Sequence, residues 1–339
     1  MKTLLFRQRV ALDDLAEVER PQPEPGPREV RVAVRAVSLN YRDVAIARGR
    51  YPAAPAPLVP GSDAAGVIDA LGPGLRRGFE VGERVALQYV PDWIDGPPRA
   101  DSGARRLGGS VDGVLAEQLV VHEEALVRLP AHLSFCEAST MPIAGVTAWQ
   151  ALVEDGRVRA GDVVGVTGTG GVSLFALQVA RIVGAEVVVI GRDPGRLARA
   201  RALGARAVPA EADWDRAVLE LTGGRGVDAF LDVVGGDALS RAVAATRVGG
   251  VVSVVGFVGG ASANVDLTTL IRRAITLRAA SGGSRRSFEA LVRALETTGT
   301  RPVVDRVFPF GADALRGALA HLAEGHPFGK VVIDLELGR

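Results

Sequence analysis

The chain has 339 residues, 47% of them hydrophobic, enough to fill two cores of ordinary domain size. Its 40 basic residues against 39 acidic ones leave a formal charge of +1, so no nucleic-acid or membrane surface is advertised and the arginines are expected on solvated helix faces. A single cysteine, Cys136, excludes an intramolecular disulfide and any multi-cysteine metal cluster, and is expected in the core.

The opening stretch MKTLLFRQRVALDD has too short an apolar run for a signal peptide, and no long uncharged stretch follows it. That pattern predicts a soluble cytoplasmic enzyme; the expected partner is a small-molecule substrate. Pro21 to Pro27 reads as an extended linker, and Val30 to Ala36 alternate in the period of two that marks a half-buried strand. Further strand-like runs, GVIDALG and ERVALQYV, are separated by glycine and proline, so the first part is predicted to be β-rich and mostly antiparallel. The longest loop, Tyr89 to Gly113, is rich in Pro, Gly and Asp. It reads as a surface excursion, or as a functional loop in which Trp93 walls a pocket.

From about Gly161 the texture changes. Continuous apolar runs such as DVVGVTG, EVVVIG, GVDAFLDVV and GGVVSVVGF alternate with amphipathic helical stretches, which predicts a parallel sheet covered on both faces. Six strands of such a unit are complete by about Leu277. After a helix in SRRSFEALVRALETTG come the strand VVDRVFPF, the helix ADALRGALAHLAEG and the strand GKVVIDLEL. With the parallel unit already complete, this tail is expected to rejoin the first domain.

Gly168, Gly170 and Ser173 fit G-x-G-x-x-G with serine in the third place, directly after a strand and before a helix. The run Gly168-Thr169-Gly170-Gly171-Val172-Ser173 is therefore expected to bind a dinucleotide. The first glycine permits the tight turn, the second admits the pyrophosphate, and the helix start offers unpaired N–H groups to the anion. At the end of the second strand, where an NAD enzyme commonly carries an acid, the chain reads Val189-Ile190-Gly191-Arg192. Gly191 removes a carboxylate that would repel a 2′-phosphate, and Arg192 and Arg196 offer guanidinium groups to hold one. NADPH (NADP+) is thus the expected cofactor. The competing readings give the acid's role to Asp193, or leave both arginines solvated.

VSLNYRD, RGRYP, PLVPGSDAAGVIDALGPG, VGERV, GTGGVSLFALQ, LTGGRGVD and FGKVVI occur in this order along the chain. Over essentially its whole length the sequence resembles the medium-chain dehydrogenase/reductase superfamily. The resemblance implies an α/β fold: a GroES-like β-rich catalytic domain, residues 1–124 and 301–339, split around a Rossmann doubly wound parallel-sheet domain, residues 125–300. It also implies an active site in the cleft between the domains and a homodimer through the edge of the Rossmann sheet.

Zinc alcohol dehydrogenases of that superfamily carry a catalytic Cys, a Gly-His-Glu segment and a four-cysteine lobe. Here the corresponding places read Asn40 and Gly61-Ser62-Asp63, and the lobe is absent. His122, His132, His321 and His326 are not at metal-ligand spacing to one another, so no metal site is expected. The chain is similar to the zinc-independent branch of quinone oxidoreductases and enoyl reductases. Without a Lewis acid the easier chemistry is conjugate reduction, in which hydride adds to an activated C=C or quinone and hydrogen bonds stabilise the enolate oxygen.

By the same resemblance Tyr51 matches the tyrosine near the substrate of enoyl reductases, as hydrogen-bond or proton donor, the alternative being an aromatic packed at a loop start. Tyr41 is placed at the nicotinamide or the pocket wall, and Asn40 at the substrate or the cofactor amide. Ser62 is a further polar candidate, and Asp43 an anchor for Arg42 or backbone. Thr147, Val234, Gly256 and Phe257 are expected beside the cofactor, and Lys330 either at its phosphates or on the surface. An alcohol or ketone oxidoreductase of the same fold, with Tyr51 or Ser62 replacing zinc, and a non-catalytic NADPH-binding sensor or structural protein remain as alternatives.

Overall fold

The computed structural model describes residues 1–51, 53–101, 104–325 and 327–337. The chain divides into two compact units, Met1–Val146 with Gly282–Arg339, and Thr147–Ser281.

In the first unit the strand Glu29–Leu39 is the hub of a seven-stranded sheet. It pairs antiparallel with Asp63–Leu71, Gln118–His122 and Lys330–Asp334. Asp63–Leu71 continues the sheet to Arg84–Leu87 and Leu126–Arg128, while Val304–Pro309 lies parallel to Lys330–Asp334 at the other end. The tail therefore rejoins the first domain as expected. One face of Glu29–Leu39 buries Val30, Val32 and Val34, which pack with Ile68, Val85, Leu126, Val331 and Ile333. Beyond Arg35 both faces are covered, so Ala36 to Leu39 are all buried. That is why the period-two signal stops at Ala36 although the strand continues for three residues.

The second unit is a six-stranded, all-parallel sheet. Its order is Arg206–Pro209, Glu186–Gly191, Val163–Thr167, Val227–Asp232, Thr246–Val254 and Thr276–Ala279. Counted along the chain this is 3-2-1-4-5-6, the dinucleotide-binding Rossmann arrangement, whose strand order reverses beside the first strand. Val188, Ile190, Phe230 and Val252 form its core with Trp214, whose ring lies 5.6 Å from that of Phe230.

The unit boundaries lie at Val146/Thr147 and Ser281/Gly282, inside the span that the sequence assigned to the Rossmann domain. Two contacts account for the difference. Leu126–Arg128 pairs with Arg84–Leu87 of the first sheet. The helix Arg285–Thr298 buries Phe288, Leu291, Val292 and Leu295, and its Glu289 and Arg285 pair with Arg77 and Glu124 of the first unit.

Cys136 is only partly buried rather than in the core, with Sγ 3.6 Å from Asp334 Oδ2. The charge of Asp334 and the burial of the thiol push its pKa up to about 12, burial being the larger cause. Trp93 forms a small satellite core with Tyr89, Val90 and Ile143, and its indole N–H donates to Gly96 O. Among the described residues no helix is long and apolar enough to cross a membrane.

Candidate active site

In the second unit the strand Val163–Thr167 runs into the helix Gly171–Ile182 through Gly168-Thr169-Gly170. Gly168 has φ +80°, a conformation an L side chain adopts only with strain. A side chain at Gly170 would project into open space, so the glycine leaves clear the ground in front of the helix start, where the first-turn N–H groups lack intrahelical partners. Ser173 explains how the third glycine can be replaced. Its hydroxyl is buried and donates to Thr167 O over 2.9 Å, so the larger residue still ties helix to strand. These residues fit a dinucleotide pyrophosphate.

The strand Glu186–Gly191 ends beside that loop: a Cβ at Gly191 would lie 3.0 Å from Leu197 Cδ2 and 3.7 Å from Thr169 Cγ2. Arg192 is exposed. Asp193 caps the helix Pro194–Ala202, accepting from Arg196 N at 2.8 Å, while Arg196 Nε lies 3.6 Å from its other oxygen. The Asp193 carboxylate, the competing candidate for the ribose, is thereby engaged in local structure.

At the end of the fourth strand Asp232 is fully buried and accepts from Thr167 Oγ1 and from the N–H groups of Val234 and Gly235, each at 3.0 Å. It thus shapes the Val233 to Gly235 turn. Val234 is partly exposed, Gly256 N donates to Asp232 O, and Phe257 is 46% exposed. Thr147 is buried.

The first unit gathers a second polar group. Ser38 pairs with both Asp63 and Val332 across the sheet, and by the period of two Asn40 and Lys330 fall on the same face. Lys330 Nζ donates to Leu39 O at 2.7 Å and to Asn40 Oδ1 at 2.6 Å, and lies 3.7 Å from Asp63 Oδ2. Asn40 Nδ2 donates to Asp63 Oδ2 at 2.9 Å. Asn40 also precedes the helix Tyr41–Ala47, and its backbone N–H donates to Asp43 Oδ2 at 2.7 Å. Burial is the main influence on all three charged groups. It pushes Asp63 up to about 7, raises Asp43, and lowers Lys330, with the opposite charges resisting in each case.

Ser62 follows Gly61, whose φ of +85° and close approach to Leu115 require glycine. The Ser62 hydroxyl is fully buried; it accepts from Arg42 Nη1 and donates to Asp43 Oδ1 at 3.3 Å. It braces Arg42 and Asp43. Arg42 Nη1 also donates to Leu107 O at 3.0 Å. Its guanidinium lies 5.4 Å from the Tyr51 ring centre and 5.0 Å from that of Tyr89, so Tyr51 is held by a cation–π contact. Tyr41 and Tyr51 are both partly exposed.

Lys330 requires a correction. It is 4% exposed and its ammonium is directed inward to Leu39, Asn40 and Asp63, neither at the surface nor free for a phosphate. The sequence missed this because the strand Lys330–Asp334 returns to Asn40 across 290 residues. The contacts of Arg42 with Ser62, Tyr51 and Tyr89 were missed as well, although Asp43 was named as its anchor.

His122 Nδ1 accepts from Glu124 N, His132 Nε2 faces Thr300 O, and His321 Nε2 lies 2.9 Å from Asp305 Oδ2; His326 lies outside the described residues. Among the described residues no group of three His, Cys, Asp or Glu side chains could hold a metal.

The 3-2-1-4-5-6 parallel sheet with its glycine-rich loop places the chain in the class of dinucleotide-binding α/β proteins. Residues 26–131 match the alcohol dehydrogenase GroES-like domain and residues 171–297 the zinc-binding dehydrogenase domain. The chain is 37% identical over 333 residues to a zinc-type alcohol dehydrogenase-like protein of Schizosaccharomyces pombe, with 94% of each covered. It is 32% identical over 264 residues to a quinone oxidoreductase of Pseudomonas aeruginosa, covering 77% of this chain and 75% of that one. A solved structure from Sinorhizobium meliloti, provisionally assigned as an alcohol dehydrogenase, has a TM-score of 0.91 at 41% identity, with 99% of each chain covered. The structure of an NAD-dependent alcohol dehydrogenase has a TM-score of 0.87 at 34% identity, covering 99% of this chain and 100% of that one. The chain belongs to the medium-chain dehydrogenase/reductase superfamily, and it is an oxidoreductase of that family.

The zinc named in the family description does not fit the residues present. Where thiolate, imidazole and carboxylate would be needed, the cluster offers an amide, a hydroxyl turned to Arg42, and a carboxylate 3.7 Å from an ammonium.

Proposed function

We propose that this protein is an NADPH-dependent, zinc-independent oxidoreductase that passes hydride to an activated C=C or a quinone. The observation that carries the reading is the Asn40–Asp63–Lys330 cluster, which already contains its cation and offers hydrogen-bond donors instead of metal ligands. NADPH, when bound, supplies the hydride. What the chain must supply is stabilisation of the oxygen on which negative charge develops, and a proton.

Hydrogen bonds suffice for an enolate or hydroquinone oxygen, whose charge is delocalised, whereas an isolated alkoxide asks for a stronger electrophile. Asn40 keeps one Nδ2 hydrogen beyond the one given to Asp63. Tyr51 offers a phenol fixed by Arg42, and it is the proposed donor to the enolate. Tyr41, beside Asn40, is assigned to the pocket wall or the nicotinamide, and Ser62 and Asp43 hold Arg42 in place.

For the cofactor, Gly168 to Ser173 would take the pyrophosphate, and Thr147, Val234, Gly256 and Phe257 the nicotinamide side. Gly191 with Arg192 and Arg196 favours the 2′-phosphate, since no carboxylate on the strand end opposes it and Asp193 is engaged as a helix cap. The strand Thr276–Ala279 is an exposed sheet edge, and pairing it with that of a second copy would give a cytoplasmic homodimer.

The test is NADPH oxidation with an α,β-unsaturated ketone and its saturated counterpart, with product identification. Consumption of the unsaturated compound at its double bond supports the reading. Reduction of the saturated ketone to an alcohol would instead support the second reading, a metal-free alcohol dehydrogenase, which the alcohol dehydrogenase names of similar proteins favour. Tight NADPH binding with no turnover on any acceptor would leave a non-catalytic sensor.

A further inference from the structure

The polar cluster of the first unit gathers four ionisable side chains in or beside the core. Asp43 and Asp63 are 6% and 0% exposed, and Arg42 and Lys330 supply the two positive charges. Such a group is costly to bury and becomes worse if one member is removed. The hydrogen bonds of Lys330 and Asp63 meet on one neutral side chain, Asn40, whereas Arg42 and Asp43 share the Ser62 hydroxyl.

An ammonium can only donate, so the Asn40 atom 2.6 Å from Lys330 Nζ must be its oxygen. The amide nitrogen is then the atom facing Asp63 Oδ2 at 2.9 Å. Asp63 Oδ2 accepts and the Lys330 ammonium donates, so the two groups impose the same orientation on the amide from opposite ends. The second Nδ2 hydrogen, on a residue that is partly exposed, therefore has a fixed direction. Turned over, the amide would set its oxygen against the Asp63 carboxylate and its N–H₂ against the ammonium, two repulsive contacts in place of two attractive ones.

The geometry points to Lys330 as a positioning residue of the reaction: its ammonium is the built-in cation that locks the Asn40 amide with an N–H available to the acceptor oxygen. This rests on the proposed function in placing Asn40 at the acceptor. Two N–H bonds of Nζ are engaged by Leu39 O and Asn40 Oδ1, and Asp63 Oδ2 lies 3.7 Å away as its ion-pair partner. A lysine 4% exposed and so engaged is not presented to solvent for a cofactor phosphate, one of the two placements that the resemblance implied for it.

The experiment compares the full-length wild type with Lys330→Met, Lys330→Ala and Lys330→Arg. It measures NADPH affinity by fluorescence, and kcat and KM with whichever acceptor the wild type reduces, the saturated ketone included. A wrong acceptor class then sinks the proposed function and leaves the lysine result readable. Lys330→Met is expected to lower kcat by about 10²-fold, the effect of losing one oriented donor, with NADPH affinity within about twofold of wild type, less than one hydrogen bond contributes.

Lys330→Ala lacks the length of a propylammonium ion. Added propylammonium chloride, against sodium chloride at equal ionic strength, is expected to restore part of kcat without changing NADPH affinity. Lys330→Arg keeps the charge and is the folding control. A tenfold loss of NADPH affinity with kcat preserved would overturn the proposal in favour of phosphate binding. Unchanged kcat in the folded fraction, or a kcat deficit indifferent to propylammonium while Lys330→Arg is folded and fully active, would reduce Lys330 to a structural strut.

Discussion

Asp63 Oδ2 and Lys330 Nζ lie 3.7 Å apart with both side chains buried; burial resists ionising Asp63, while the ammonium beside it favours the carboxylate and offsets only part of that penalty. Burial pushes this carboxyl from 3.8 up to about 7 despite the lysine. Between these values the unfolded chain gives up the proton and the native chain keeps it. The stability tied to this group is therefore fully present below pH 4 and is lost as pH rises through about 7. Asp43 is shifted in the same direction, so the comparison must be differential. The melting temperature of Asp63→Asn relative to wild type should rise from pH 4 to pH 7.5; parallel curves would show that Asp63 ionises as readily in the native state as in the unfolded one.

Asp228 in the second unit works the opposite way. Burial alone would raise it, but two 2.7 Å hydrogen bonds from Arg225, the Val163 N–H and Arg247 together bring it down to about 2. Its contribution is present above the unfolded value of 3.8 and lost as pH falls through about 2. Asp228→Asn should cost about 2 kcal/mol at pH 7 by urea denaturation, with the gap closing toward pH 2. A gap independent of pH would mean the loss is one of packing.

The Rossmann unit was legible in the sequence because buried parallel strands are continuous apolar runs, and GTGGVS sits between one of them and a helix. Less was legible at the polar cluster. Asn40 and Asp63 lie in recognisable segments, but Lys330 meets them only through the antiparallel return of the last strand, and residues so far apart leave no local pattern. The partners of Ser62 were illegible for a related reason. A serine after a glycine looks available, and only the fold shows its hydroxyl facing Arg42 and Asp43.

Arg192 at the strand end is proposed to meet the 2′-phosphate, and charge reversal is the direct test. Arg192→Glu should weaken NADPH binding by about ten- to a hundredfold, the worth of a charge-assisted hydrogen bond, while NADH binding changes little. Titration with each cofactor reads both constants. Equal effects on the two would remove the phosphate role and return the preference to Arg196 or to neither.

Along the exposed edge of the Rossmann sheet, Leu277 is 37% exposed, and Ile271 and Leu267 are 76% and 65% exposed. An unpaired edge with apolar neighbours invites a second copy. Leu277→Lys, with its charge on that edge, should convert a dimer to monomer in light scattering at micromolar concentration without changing the monomer's circular dichroism. A wild type already monomeric under those conditions would dispose of the dimer.

Tyr51 sits under the Arg42 guanidinium, an arrangement that phenylalanine would keep, because the cation–π contact uses the ring and not the hydroxyl. Tyr51→Phe is therefore a clean removal of one O–H. If that hydroxyl donates to the developing enolate, kcat should fall by about 10²-fold, with NADPH affinity and thermal stability near wild type. The distinction from simple packing is sharp, since a packed aromatic would tolerate this change in every measurement. A rate that does not fall would transfer the donor to Tyr41, to Asn40 or to solvent, and the same assay on Tyr41→Phe and Asn40→Ala would then separate these.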